Sequence, residues 1–407
     1  MDVRPGLRRE GPRDLEAVGQ DEVLVEKIRE EIRSRGPMTF ARFMEIALYD
    51  PDRGYYRAPD ARPGRDGDFV TAPELHPIFG ETLATAVLDI RDRLGPPERF
   101  TIREFGAGTG ALARPLLSAI RAAGVGPDAI RYQAVDVDDR RASSLATSLS
   151  EADLVPYLDA AGTAPIEGIV LANEVLDALP VHRVRRRGDL LRELAVDATP
   201  DGGLVAVEVP PSTPALAARL ETEGVSLGDG QTAEIGLAAD GWIRQAAAGL
   251  RRGALLLIDY GAAATELYDP VRRRDGTLRA YVRHQVHDDP FRHVGRQDLT
   301  AHVDVSAVES AAHAVGLSTI GLTTQAEALM GLGIEERLRA IQADPATSFE
   351  EYRLVRAALM RLLDPAAMGR FRVMVFGRDV PDDPQDRPLG LLSYRLPERR
   401  TTPPPTR

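Results

Sequence analysis

Cysteine is absent from this 407-residue chain, lysine occurs once, at Lys27, and tryptophan once, at Trp242. Without a thiol there can be no disulfide, no thiolate nucleophile and no Cys-based zinc site, and nothing requires an oxidising compartment. The chemistry read below requires no metal, so none is expected. Long apolar runs are lacking as well. No stretch approaches the roughly 20 residues of a membrane-spanning helix, which predicts no membrane insertion. The first twenty residues mix Arg with Asp and Glu and hold no apolar stretch. Neither a secretory signal nor an acid-poor transit peptide is expected there, and the chain reads as cytoplasmic. Positive charge is in deficit: 51 Lys and Arg against 62 Asp and Glu give a net charge of −11. That argues against a nucleic-acid-wrapping surface and favours a basic partner. The arginines are interspersed with acids, the pattern of a solvated surface and not of a basic groove.

What remains is a globular composition, 43% hydrophobic, on a chain longer than one typical domain. Residues 1–19 and 380–407, the latter ending in Thr-Thr-Pro-Pro-Pro-Thr-Arg, have the composition of disordered tails. Residues 20–97 read as an N-terminal helical cap. Val23, Leu24, Ile28 and Ile32 mark one helix face, Thr39 is placed to cap a second helix ending at Asp50-Pro51, and a third runs from about Ile78 to Leu94. From residue 98 to 379 the pattern becomes α/β. Strands at 100–105, 131–137 and 166–172 alternate with helices at 111–123 and 140–149, which indicates a doubly wound parallel sheet. Three β-rich runs at 181–187, 190–196 and 204–209 predict an antiparallel meander inserted at about 181–210, and 261–300 reads as a further insertion. A helix over 242–250 leads to the apolar strand 254–260, expected to be buried on both faces.

The strongest local chemistry is Glu104-Phe105-Gly106-Ala107-Gly108-Thr109-Gly110, between a predicted strand and helix. Glycines let the backbone turn sharply and approach a ligand, and a helix start offers free N–H groups. Asp136 ends the next strand, where a carboxylate can accept hydrogen bonds from two ribose hydroxyls, with Asp138 as an alternative. Gly106 to Ala111 also satisfies the G-x-G-x-x-A pattern of dinucleotide-binding enzymes. The acidic Glu104 shifts the balance toward S-adenosylmethionine, whose amino-acid end or bound water it can address.

The chain resembles the MidA-like methyltransferases. The blocks that carry the resemblance run from about residue 22 to 378. They include Gly36-Pro37-Met38-Thr39-Phe40, Gly54-Tyr55-Tyr56, Gly67-Asp68-Phe69-Val70-Thr71-Ala72-Pro73-Glu74 and the glycine motif. Asn173-Glu174-Val175-Leu176-Asp177-Ala178-Leu179-Pro180, Ile258-Asp259-Tyr260-Gly261 and Asp298-Leu299-Thr300-Ala301-His302 follow. The resemblance implies a Rossmann-like class I methyltransferase sheet and S-adenosyl-L-methionine as cofactor. One member assembles mitochondrial complex I and methylates an arginine of a partner subunit, so the resemblance implies a protein acceptor. Glu104, Gly106, Ala107, Gly108, Gly110 and Asp136 are the candidate cofactor residues. The segment around Asp68 and Thr71 is expected to fold over the cofactor, which adds those two.

Asn173, Glu174 and Asp177 fall at the carboxyl end of a predicted strand, the edge where open α/β sheets bind ligands. Were a helical turn to begin there, Glu174 and Asp177 would face the same way. A guanidinium keeps its proton at ordinary pH, so an arginine acceptor needs carboxylates to orient it and take up charge. The bland alternative is that Asn173 or Asp177 caps a turn. Tyr55, Tyr56 and Phe69 read as packing residues, Trp242 as core or interface, and His287 and His302 as the other candidate proton acceptors. Three functions stay open: methyl transfer to a protein arginine, methyl transfer to a small molecule or peptide, and a non-catalytic assembly factor that binds S-adenosylmethionine. The oligomeric state is not legible.

Overall fold

The computed structural model describes residues 18–57, 70–381 and 387–396. Its centre is a seven-stranded mixed sheet. In chain order the strands are β1 (Phe100–Phe105), β2 (Ile130–Val135), β3 (Leu158–Asp159), β4 (Ile166–Asn173), β5 (Leu250–Asp259), β6 (Ser318–Thr324) and β7 (Arg372–Arg378). They lie in the order β6-β7-β5-β4-β1-β2-β3. The first five are mutually parallel, and β7 runs antiparallel to both β5 and β6. Strand order reverses between β1 and β4, so the crevice at their carboxyl ends is the switch point where such sheets bind ligands.

Apolar residues alternate to opposite faces of the central strands. Ile169, Leu171, Leu256 and Ile258 join one core with the helix Ile78–Arg93, while Val170, Ala172, Leu255 and Leu257 join another with the helices Ala238–Ala248 and Val305–Ala314. At the opposite, amino-terminal end the strands press together. A Cβ built on Gly168 would lie 2.1 Å from the Thr101 carbonyl oxygen, and one on Gly253 would lie 1.9 Å from the carbonyl oxygen of Gly168.

The helices of residues 20–97 are divided between two cores. Ile78–Arg93 packs on the large sheet, whereas α1 (Glu22–Arg35) and α2 (Phe40–Tyr49) share apolar contacts with Val181, Val196, Leu278, Val294 and Leu299. Asp21 and Thr39 cap these two helices, accepting from Leu24 N at 3.0 Å and Arg42 N at 3.1 Å. In a second sheet His182–Arg187, Leu190–Ala198 and Leu204–Val209 pair antiparallel in succession, and Thr232–Ile235 borders the first of them. Met38–Thr39 pairs with Ala195 and Val196 of the same sheet. Within 261–300, Arg279–Val282 sits between Gln285–His287 and Asp298–Thr300 in a small antiparallel sheet. No helix among the described residues is long and apolar enough to cross a membrane.

The expectation of disordered tails needs correction where they are described. Leu389 and Leu391 are 1% exposed and join the main core, and Gly390 N donates to Asp89 at 2.7 Å. A Leu-Gly-Leu-Leu cluster inside a Pro- and charge-rich stretch has enough apolar surface to dock. At the other end, Val18 and Gly19 are held through their carbonyl groups by Arg296 and His293.

Candidate functional site

The turn after β1 is shaped by three glycines in left-handed backbone, Gly106 (φ 71), Gly108 (φ 54) and Gly110 (φ 89). L side chains adopt that region at a cost, which is why the turn needs glycine. Among the described residues, a Cβ on Gly108 would meet no atom closer than 3.9 Å, so the described structure leaves the space above that residue open. Gly108 N donates to Asp136 Oδ2 at 2.8 Å, which ties the turn to the end of β2. The other Asp136 oxygen accepts from Asp138 N at 3.1 Å and lies 3.7 Å from an Arg141 nitrogen. Asp138, the alternative ribose residue, is committed elsewhere: it caps the helix Asp139–Ser150 through Arg140 N and pairs with the Arg140 guanidinium. Ala107 is buried in the turn. Glu104 is also buried and accepts from the Tyr132 hydroxyl at 2.7 Å, and burial pushes its carboxyl up to about 7.

The second half of the site is the turn after β4. Asn173 ends the strand and Glu174 takes left-handed backbone, φ 52, rather than opening a helical turn. That corrects the expected geometry of the Glu174–Asp177 pair. The organiser is Asp259 at the end of β5. Its Oδ2 accepts from the backbone N–H groups of Val175, Leu176 and Asp177 at 3.2, 2.8 and 3.3 Å. Glu174 Oε1 accepts from Asn173 Nδ2 at 3.0 Å and from Ala72 N at 3.1 Å, the first residue of the short helix Ala72–Leu75. Asp177 Oδ2 accepts from the Tyr260 hydroxyl. Among the described residues, Asn173 Oδ1 and Asp177 Oδ1 are buried without a hydrogen-bond partner.

The remaining candidates are dispersed. Thr71 is the N-cap of Ala72–Leu75, and its hydroxyl and N–H both donate to Glu74 Oε2, at 3.0 and 2.9 Å. That gives Thr71 a capping role, although it sits beside the Ala72–Glu174 contact. Asp68 and Phe69 lie outside the described residues. His302 stands edge-on to Tyr260 at 5.5 Å, and burial, with Arg273, Arg370 and Arg279 nearby, pushes its imidazole down to about 4. His287 packs against His293 at 5.6 Å, away from the turn, with its imidazole also lowered, chiefly by burial. Trp242 is half-buried and edge-on to Phe105 at 5.2 Å.

The electrostatics are one-sided. Among the described residues no Lys or Arg forms an ion pair with Glu104, Glu174, Asp177 or Asp259. Burial pushes the Glu174 carboxyl up to about 8, the nearby Asp177 and Glu74 charges adding to it against the hydrogen bonds from Ala72 and Asn173. Burial lifts Asp177 to about 6 despite the Tyr260 bond, and Asp259 rises well above the usual range, through burial and then Asp177 and Glu174. Three carboxyls this close cannot all ionise without a compensating cation. Asp259 and Tyr260 were missed as site residues, yet their signal was present: Asp259 ends an apolar central strand at the same edge as Glu174, and Tyr260 follows it directly.

A mostly parallel sheet with β7 antiparallel, a glycine turn after β1 and a carboxylate ending β2 define a Rossmann-like α/β protein that binds a nucleoside ligand at the switch point. A family model for S-adenosyl-L-methionine-dependent methyltransferases matches residues 82–323. The mitochondrial protein arginine methyltransferase NDUFAF7 homolog of Drosophila melanogaster is 30% identical over 86% of this chain and 84% of its own length. The corresponding mitochondrial protein arginine methyltransferase of Rattus norvegicus is 28% identical over 83% of this chain and 80% of its own. A crystal structure from Burkholderia thailandensis bound to S-adenosyl-homocysteine superposes with a TM-score of 0.85 at 35% identity, covering 94% of this chain and 97% of that one. The chain belongs to the MidA-like family of S-adenosylmethionine-dependent methyltransferases, and S-adenosyl-L-methionine is its cofactor. The residues present fit that ligand: open space over Gly108 leaves room for it, and unpartnered buried acceptors surrounded by carboxylates suit a cationic molecule.

Proposed function

We propose that the protein transfers a methyl group to an arginine nitrogen of a partner protein, with Glu174 and Asp177 holding the guanidinium. The observation that carries the reading is the group of buried carboxyls at the carboxyl edge of β4 and β5, with no cation among the described residues paired to them and no described donor at Asp177 Oδ1. A guanidinium is a planar fork of donors with no acceptor, and acceptors without donors are its complement. Gly106, Ala107, Gly108 and Gly110 cradle the cofactor in this reading, Asp136 addresses its ribose, and Glu104 lies behind the turn. Asn173 offers its carbonyl oxygen beside Glu174, and Thr71 caps the short helix whose first N–H meets Glu174.

Bound S-adenosylmethionine supplies an electrophilic methyl group whose bonding electrons stay on sulfur. The guanidinium enters with one positive charge and leaves with one after gaining a methyl group, so one proton must depart. Glu174 takes it. Its raised proton affinity makes it a better acceptor than a solvated carboxylate, and a neighbouring guanidinium would bring it into the ionised state needed to receive the proton. Asp177, anchored by Tyr260, orients the fork. The names of the relatives point the same way, since both mitochondrial proteins are called protein arginine methyltransferases.

The test is incubation with methyl-labelled cofactor and host lysate, followed by acid hydrolysis. Label recovered as methylarginine in protein supports the reading. Label confined to small solutes would make this a small-molecule methyltransferase, and no incorporation with intact cofactor binding would point to a non-catalytic assembly factor.

A further inference from the structure

The Glu174–Asp177 turn is walled by tyrosines that arrive from four separate segments. Tyr49 ends α2 and its hydroxyl donates to the Ala178 carbonyl at 3.0 Å. The Tyr56 hydroxyl donates to Asp298 Oδ1 at 2.9 Å, and its ring stacks on that of Tyr49 at 5.5 Å with 28° between planes. Tyr260 reaches Asp177. Tyr281 stands opposite Asp298 across the small sheet, and three residues further along that strand's chain Ala301 N donates to the Asp177 carbonyl at 2.9 Å. All four tyrosines are half-buried, and the Tyr56 ring is already covered by that of Tyr49 and by the Arg141 guanidinium.

Charge in this recess is mainly negative. Asp177 and Asp298 both raise the Tyr49, Tyr56 and Tyr281 phenols further above the level that burial imposes, and Glu174 contributes at Tyr281. The cations at the rim have other partners: Arg279 faces Asp288 at 3.3 Å, and Arg141 lies over the outer side of Tyr56 at 5.8 Å and beside Asp136. Asp177, only 6% exposed, leaves Oδ1 without a partner among the described residues. A buried acceptor without a donor is costly alone and is relieved by a donor that comes from outside.

We propose that Tyr49 and Tyr281, with Asp177 and Asp298, form the recess that selects a planar guanidinium over an ammonium or an uncharged side chain of the same shape. As an acceptor site it rests on the arginine reading above. Aromatic faces attract a cation by their quadrupole, and a flat, weakly hydrated guanidinium can stack on a ring while its edge meets carboxylates. An ammonium satisfies the charges but cannot stack, and a ureido group stacks without charge.

The recess is tested on the full chain saturated with S-adenosylhomocysteine, titrated calorimetrically with the N-acetyl methylamides of arginine, lysine and citrulline. The arginine compound should bind about tenfold or more tighter than the citrulline compound, and tighter than the lysine compound. Tyr281→Leu and Asp298→Asn should each weaken it about tenfold while S-adenosylhomocysteine affinity and melting temperature stay near those of the wild type. Equal binding of arginine and citrulline, or unchanged arginine binding in both folded variants, would overturn the proposal. Selective binding without methylarginine in the labelled lysate would sink arginine transfer and with it the acceptor role. Methylarginine formed by both variants at wild-type KM would sink the recess alone.

Discussion

Replacing Glu174 by Gln keeps the shape of the side chain and one acceptor oxygen for Ala72 N, but removes its charge and its capacity to take a proton. Charge-assisted contacts are worth about twice neutral ones, and losing one in the transition state should cost about 2–4 kcal/mol. That corresponds to a fall in kcat of about 30- to 1000-fold, with S-adenosylhomocysteine affinity nearly unchanged. The pH dependence should change as well. With the free carboxyl at about 8, wild-type kcat/KM should climb as pH rises toward that value, and the variant should lose this limb. Stability should move the other way. Between its ordinary 4.5 and about 8 the unfolded chain has released the Glu174 proton while the folded chain keeps it, so wild-type stability falls as pH rises through that window. E174Q abolishes this loss and should be the more stable protein at pH 8. Urea unfolding at pH 5 and 8 and stopped-time methylation assays measure both effects. A variant with wild-type turnover, or one whose stability falls from pH 5 to 8 as steeply as the wild type, would refute the reasoning.

Gly108→Val places a branched side chain at φ 54 in the open space over the turn, so S-adenosylhomocysteine binding should vanish by calorimetry while circular dichroism stays native. Asp177→Asn should reduce turnover less than E174Q does, since its charge orients the acceptor and does not take the proton; an equal or larger loss would reverse the roles. Asp259→Ala leaves the N–H groups of residues 175–177 without their acceptor and should cost about 3 kcal/mol or more in urea unfolding, along with activity. Ending the chain at residue 381 exposes the core that Leu389 and Leu391 cover, at about 1.5–3 kcal/mol each, and should lower the melting temperature by several degrees.

Local signals read best in the sequence. β1 occupies the residues its apolar pattern marked, β4 extends one residue beyond expectation to Asn173, and Thr39 caps α2 as its position indicated. The glycine turn and Asp136 are in contact, as a strand–turn–helix reading requires. Tertiary features were less legible. Thr232–Ile235 is four residues long and becomes a strand only because His182–Arg187 offers it an edge. The helix expected at Trp242 begins at Ala238, because Gly241 in its first turns hides the periodicity. Asp259 holds a turn more than eighty positions away in sequence, and no local pattern encodes that contact. The left-handed Glu174 is equally invisible, since only Gly, Asn and Asp advertise such backbone.

The division of residues 20–97 between two cores bears on how the chain is made. Helices α1 and α2 bury Leu24, Ile28, Phe40, Phe43 and Met44 against Val181, Val196, Leu278, Val294 and Leu299. Met38 pairs with Val196, and Asp21 N bonds to the Val294 carbonyl. Synthesis at about 5–20 residues per second separates the appearance of these partners by tens of seconds. During that interval an amphipathic segment with five exposed aromatic or long apolar positions has nothing native to cover it. The amino-terminal helices should therefore be the last part of the protein to gain protection from hydrogen exchange in refolding, and a nascent chain halted before residue 294 should need a holdase to stay soluble.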